Sequence, residues 1–252
     1  MILDFPLVLF ALSLVLLALS AWFGAAVLSR QRDPTEDIQD DVDTILAATL
    51  TLLGLIIGFT FSMAVTRYDQ RKNLEEGEAN AIGTAYVRAD LLPSADAARV
   101  RTLLKEYLDV RIEFYEARDP QRLAGIASRR AKLQADLWTT VQRAATAQPS
   151  SVIALAVSGM NDVLNAQGYT QAAWWNRIPP AAWLLMIIIA VCSNILIGYG
   201  AHRTKARRLL LFVLPLVVSI SFFLIADIDS PRGGVIHVLP QNLKSLAESM
   251  RP

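Results

Sequence analysis

The residues with the most chemistry in them lie in one short run. From Arg67 to Glu78 the chain reads RYDQRKNLEEGE, so the basic Arg67, Arg71 and Lys72 are followed by the acidic Glu75 and Glu78. On a helix Arg71 and Glu75 are four apart and can pair. Repeated around an axis, the basic side chains would form a ring that concentrates anions. The acidic ones, Glu76 included, would form a ring that concentrates cations. The sequence offers both rings in succession. Other reactive groups are scarce. Cys192 is the single cysteine and lies inside an apolar run, which excludes an intrachain disulfide and a cysteine-based metal site. His202 and His237 are the only histidines, too few for a multi-histidine metal centre in one chain. HEXXH, Walker A and dinucleotide-binding motifs are absent, as is any Ser-His-Asp-like pattern. The chain does not read as an enzyme, and no cofactor or metal is expected. Asp37, Asp40, Asp41 and Asp43 read as acids complementing a helix N-terminus rather than as a cation site. A net charge of +1 gives no basis for a nucleic-acid partner.

The elements that must position these charges follow from hydropathy. Although 54% of residues are hydrophobic and 19% charged, the apolar residues gather in four runs: Phe5 to Ser29, Thr44 to Thr66, Ile178 to Ala201 and Leu209 to Ala226. Each is long enough to cross a hydrocarbon core of roughly 30 Å as a helix. Met1 to Ser29 lacks a positive n-region, and its apolar stretch outruns a signal h-region, so it is expected to stay as the first transmembrane helix. The second run, 44–66, passes without proline into polar sequence. It is expected to continue as one helix to about residue 91, where Pro93 must stop it. Trp174, Trp175, Pro179, Pro180 and Trp183 mark re-entry into the membrane at an aromatic interface.

Residues 67–177 have ordinary soluble composition and no sustained strand alternation, so they are expected to form a helical domain inserted between the second and third spans. Beyond the long helix, three helices are expected in it. The first spans about Ala95 to Ala117, capped by Ser94, with Leu103, Leu104, Tyr107, Leu108, Ile112 and Tyr115 inward. The second spans Gln121 to Ala147, with Leu123, Ile126, Leu133, Leu137, Trp138 and Val141 inward. The third starts at Ser150 or Ser151 and ends near Ala166, before Gln167 and Gly168. Spans 178–201 and 209–226 follow, joined by the basic loop of His202, Arg203, Lys205, Arg207 and Arg208. Residues 227–252 form a tail. The fold class is therefore all-α: a polytopic membrane protein of four spans with an extramembrane helical insert.

Within the second span two faces compete. Gly54 and Gly58 form a GxxxG pair at which another backbone can approach closely. Ile57, Phe61 and Val65 make an apolar line suited to a hydrophobic constriction that gates by dewetting, or simply to helix packing in lipid. Gly58, Ser62 and Thr66 make a small, polar stripe suited to a pore wall or a tight helix contact. The charges flanking the spans are nearly balanced between the two sides, so the positive-inside rule leaves the side of the helical domain open.

The run GFTFSMAVTRYDQRKNLEEGEANAIGTAYVRADLLP, Gly58 to Pro93, resembles the signature of the bacterial bestrophin-like membrane proteins. The segment DIDSPRGGVIHVLPQNL, Asp227 to Leu243, resembles that family's closing motif. The resemblance covers the whole chain. It implies a ring of copies, five in true bestrophins, around an anion path in a bacterial inner membrane. The second span would line a neck at Ile57, Phe61 and Val65, flanked by Gly54 and Gly58. It would also place the helical domain in the cytosol. The chain is shorter than animal bestrophins, and a bestrophin-type acidic calcium clasp has no clear place in it. Asp227, Asp229 and Ser230 are the nearest acidic cluster and read as a solvated helix end. The expected function is a homo-oligomeric ion channel, with lipid and an inorganic ion as its other partners. The alternative is a non-conducting scaffold that binds partners through the helical domain.

Overall fold

A computed structural model describes residues 4–28, 36–200 and 205–251; the side chains of 36–40 and 205–210 are outside that description. The basic loop and the connector before Asp41, with Asp37 and Asp40, therefore fall outside the described side chains. Eight α-helices carry the described chain, with no strand among the described residues. They are α1 (Pro6–Ala26), α2 (Glu36–Arg88), α3 (Ser94–Glu116), α4 (Pro120–Ala147), α5 (Ser151–Trp175), α6 (Pro180–Gly200), α7 (Lys205–Asp229) and α8 (Gln241–Ser249). Four helical stretches are long and apolar enough to cross a membrane, and they lie in α1, α2, α6 and α7. The protein is an all-helical, four-span membrane protein.

The chain divides into two compact units. The first comprises Met1–Thr66 and Arg177–His237. Here α1 packs on α6 and α7. The α1–α6 crossing is made by backbone rather than side chains. A Cβ added at Gly24 would lie 2.1 Å from the Ile195 carbonyl oxygen, and one at Gly198 would lie 2.0 Å from that of Ala21. Small residues allow this approach, and in lipid it is van der Waals contact of this kind that holds helices together. Edge-to-face ring pairs, Phe10–Phe223 at 6.2 Å and Trp183–Phe222 at 6.0 Å, add to it.

The second unit comprises Arg67–Asn176 and Val238–Pro252. Its core joins Ile82 and Ala85 of α2, Leu103, Leu104, Tyr107 and Leu108 of α3, Leu137 and Val141 of α4, Met160 and Val163 of α5, and Leu243 of α8. Of the inward residues expected on α3 and α4, Trp138 alone is exposed, while Ile112, Leu123 and Leu133 are half-buried. Asp119 caps α4 by accepting from the Arg122 amide at 2.8 Å, and Ser150 caps α5 by accepting from the Ile153 amide at 3.1 Å. Ser94 does not cap α3; it is the first helical residue, and Pro93 holds the cap position without a side-chain bond.

Two boundaries differ from the expectation. The long helix begins by Glu36 rather than at Thr44. The fourth helix of the insert runs past Gln167 and Gly168 to Trp175. A glycine inside a helix costs only about 1 kcal/mol. Beyond Gly168, Thr170, Ala173 and Trp174 are all buried, and that packing outweighs the local break.

Candidate functional site

The long helix α2 has 53 residues, and its exposure sorts cleanly by face. One stripe is buried in its own chain: Leu53, Thr60, Ala64, Arg71, Glu75, Glu78, Ile82, Ala85 and Ala89. The opposite stripe is exposed at every step: Thr44, Ala48, Thr51, Leu55, Gly58, Ser62, Thr66, Asp69, Asn73, Glu76, Asn80, Thr84 and Val87. Steps of three, four and seven keep each series on one side of a helix with 3.6 residues per turn.

This sorting separates the two faces that compete in the second span. Gly58, Ser62 and Thr66 fall on the midline of the exposed stripe. Gly54 is exposed beside it, and a Cβ at Gly54 or Gly58 would meet no atom of the chain within 4 Å. The Ile57–Phe61–Val65 line crosses from one side to the other: Phe61 is exposed, whereas Ile57 and Val65 are half-buried. The Thr51 hydroxyl donates to the Ala47 carbonyl at 2.8 Å and that of Thr66 to the Ser62 carbonyl at 2.9 Å. Each thus meets its own helix while facing outward.

The charged run beyond the span is sorted in the same way. Glu78 is fully buried and accepts from the Arg111 guanidinium through both of its oxygens. It also accepts from the Tyr115 hydroxyl and the Thr170 hydroxyl, each at 3.3 Å. The Arg111 guanidinium lies 4.4 Å from the Phe114 ring centroid. Burial and the Glu78 charge push the Tyr115 and Tyr107 hydroxyls above their ordinary range. Burial opposes the Arg111 charge, but the contact with Glu78 outweighs it and holds the guanidinium above its usual value.

Glu75, also buried, takes the N-terminus of α8. It accepts from Asn242 Nδ2 at 2.6 Å and from the Leu243 amide at 3.0 Å, a carboxylate cap supplied by another helix. Arg71 is buried and Arg67 half-buried, which leaves Lys72 as the exposed base of the three. Of the pore-mouth side chains expected from sequence, Glu75, Glu78 and Arg71 thus point into the chain's own interior.

The closing motif is also an interior structure. Asp227 accepts from the Val235 and Ile236 amides, each at 2.8 Å, which turns the chain back beneath the end of α7. The Ser230 hydroxyl accepts from the Gly233 amide at 3.0 Å. Asp229 accepts from Arg177 Nε at 3.0 Å and from the Ile178 amide at 3.2 Å, while Arg177 Nη1 reaches Asp4 at 2.8 Å. Asp227, Asp229 and Ser230 are at most 2% exposed, which corrects their reading as a solvated helix end. The two glycines are needed sterically. A Cβ at Gly233 would lie 1.8 Å from the Asp4 carbonyl oxygen, and one at Gly234 would lie 2.6 Å from that of Asp227.

A long helix with one free face, a helical insert and this closing turn are one architecture, and a family model for the bestrophin-like domain matches it over residues 11–243. The chain belongs to the bestrophin-like family. That family is one of membrane ion channels rather than enzymes. Crystal structures of a bacterial bestrophin homologue from Klebsiella pneumoniae share its fold. The one solved by zinc SAD phasing is 13% identical with a TM-score of 0.65, aligned over 95% of each chain. Two point-mutant forms give TM-scores of 0.66 at 12% identity over 97% of each chain, and 0.63 at 14% over 96% of each. At such identity the likeness is one of fold. No curated protein matches the chain.

In this bestrophin-like chain the acidic turn does not fit a calcium clasp. Calcium needs several oxygens free to converge on it at about 2.3–2.6 Å. Both Asp227 oxygens accept from backbone amides, and Asp229 holds an arginine. Sequence reasoning missed the Glu78–Arg111 pair, the Glu75 cap on α8 and the outward position of Asp69. For Asp69 a signal was present: it lies seven residues after Ser62 and seven before Glu76.

Proposed function

We propose that the chain forms a homo-oligomeric ion channel in a bacterial inner membrane, with copies of α2 around the path. One observation carries this reading. Only 11% of the membrane window of α2 is buried in its own chain, against 33%, 39% and 44% for the windows in α1, α6 and α7. The midline of the face left uncovered holds Thr51, Gly58, Ser62 and Thr66 together with Leu55, and Leu52, Phe59 and Met63 are exposed beside it. Small hydroxyl-bearing residues suit a wet wall or a close neighbouring copy better than hydrocarbon tails. In this arrangement Gly58 and Ser62 face the axis, with Gly54 and Phe61 beside them. Ile57 and Val65 stand behind at the contact between copies, and a narrow neck is set by Phe61. An anion path would be eased by Arg67, Arg71 or Lys72 at the mouth, and of these Lys72 is exposed.

The test is ion flux into liposomes carrying the purified oligomer, with potassium and chloride gradients applied separately. A steady flux that changes with Phe61→Ala supports the reading. Silence of both proteins in a confirmed ring-shaped oligomer removes it. The second reading, a non-conducting scaffold, draws on α5, where Val152, Leu155 and Tyr169 are all at least half exposed on the helical unit.

A further inference from the structure

We infer that the interior of the helical unit holds a binding site for a small inorganic anion of halide size, between Arg111 of α3 and Arg130 of α4. It sits behind the buried side of α2 and stands whether or not that helix lines a path. The packing of α3 against α4 decides which residues meet there. Three contacts fix an antiparallel register: Asp96 with Arg143, Tyr107 with Gln134 and Glu113 with Arg129. As α3 runs forward α4 runs back, which brings Arg130 level with Arg111. Arg130 belongs to the inward stripe of α4, four residues after Ile126 and seven before Leu137, both buried. Two guanidiniums thus meet in a core, where an uncompensated charge is costly.

Their donors are not used up. Arg111 spends Nε and Nη2 on Glu78, and its Nη1 is buried with no acceptor among the described residues. Arg130 Nε is buried with none either. Helix α4 gives Arg129 to Glu113 and Arg143 to Asp96, and Arg130 is in neither pair. The Glu78 oxygens already take Arg111, Tyr115 and Thr170. The Tyr107 hydroxyl lies within reach of both guanidinium charges. Burial and the Glu78 charge push it above its ordinary range, against the opposing pull of Arg111 and Arg130, so it stays an O–H. It accepts from Gln134 Nε2 at 3.5 Å, which leaves its own hydrogen to give. Gln134 Nε2 also donates to Gln167 Oε1 at 3.3 Å, which orients that amide.

Arg111 Nη1, Arg130 Nε and the Tyr107 hydroxyl are donors without an acceptor to share. A water offers two lone pairs and no charge, and would leave the Arg130 charge unbalanced. A monatomic anion takes all three donors and supplies the missing charge. Phosphate or sulfate would bring more oxygens than these donors satisfy. Arg130 is half-buried, so the ion enters from its side of α4.

The experiment follows thermal unfolding of the full-length protein in detergent, with bromide replacing gluconate at constant ionic strength. The wild-type Tm is expected to rise by a few degrees for each tenfold increase in bromide once the site fills, because an ion bound only by the folded state stabilises it. Arg130→Gln is expected to flatten that dependence, and Tyr107→Phe to shift it to several-fold higher bromide. Crystals grown in bromide should show its anomalous signal within hydrogen-bond reach of Arg111 Nη1 and Arg130 Nε. A wild-type Tm indifferent to the exchange, a dependence unchanged in Arg130→Gln, or water at that place in the bromide crystals overturns the inference. If Arg130→Gln does not fold, Tyr107→Phe and the bromide crystals decide it by the same outcomes.

Discussion

A carboxylate with no water around it must find its donors in the protein, and Glu78 finds them on two other helices: Arg111 and Tyr115 of α3 and Thr170 of α5. Breaking a buried pair from one side is costly because the survivor keeps its charge. Arg111→Met is accordingly expected to destabilise the protein by about 3–5 kcal/mol. Adding Glu78→Gln should recover part of that loss, as read from thermal unfolding of the detergent-solubilised protein. The Asp4–Arg177 contact gives a pH dependence. Burial alone would raise the Asp4 carboxyl, but its charge-assisted hydrogen bonds, that from Arg177 among them, hold it below the usual carboxylate value. A lowered folded-state value means that the contact's contribution is complete above the ordinary carboxylate range and is lost as pH falls through the folded value. Stability measured from pH 7 downward should therefore lose this contribution only below about pH 4, and Asp4→Asn should lack that step. The charged run from Arg67 to Glu78 was plain in the sequence, but its sorting was not. The partners that decide it are Arg111, Thr170 and Asn242, and no local spacing points to them.

Helices, unlike their charges, were largely readable in advance, because hydropathy and proline reflect costs that tertiary packing seldom outweighs. Pro93 and Pro120 stand at boundaries as their missing amide requires. Gly168 marks the limit of that logic: a penalty of about 1 kcal/mol is small beside burying Trp174. The same packing argument separates the glycines. Gly198→Ala puts a methyl group into the backbone of α1 and is expected to destabilise the four-span unit by at least about 1–3 kcal/mol, seen as lost yield or a lowered Tm. Gly54→Ala and Gly58→Ala meet nothing in their own chain. They should leave helical content unchanged, and any effect should appear in oligomer size on gel filtration or in flux. The alternation of buried and exposed stripes along α2 was half legible. Its period was visible in the sequence, but which of two plausible faces turned outward depended on what covered the other.

At the scale of the whole molecule, chains only 12–14% identical share this fold over nearly their full length. The four spans and the inserted helices were open to sequence reading because they depend on composition averaged over many residues. The return of the C-terminal segment to the helical unit was not, since α8 is a short helix held by the Glu75 carboxylate, the Lys244–Glu116 ion pair and a few apolar contacts. Removing residues from Gln241 onward should take the Asn242 and Leu243 donors from Glu75 and uncover the contacts of Leu243. Truncation is thus expected to increase protease sensitivity of the helical unit more than Glu75→Gln does, as followed by limited proteolysis.

The clasp joining Asp4, Arg177, Asp229 and Gly233 also sets an order in biosynthesis. Asp4 is made long before its partners Arg177, Asp229 and Gly233. Each span can enter the bilayer as it is translated, but the segment around Asp4 must wait, unfastened, until the fourth has emerged. A nascent chain stalled just before Gly233, with α7 still inside the ribosome, should hold three inserted helices and a segment around Asp4 still open to labelling. Release of the chain from the ribosome should close it.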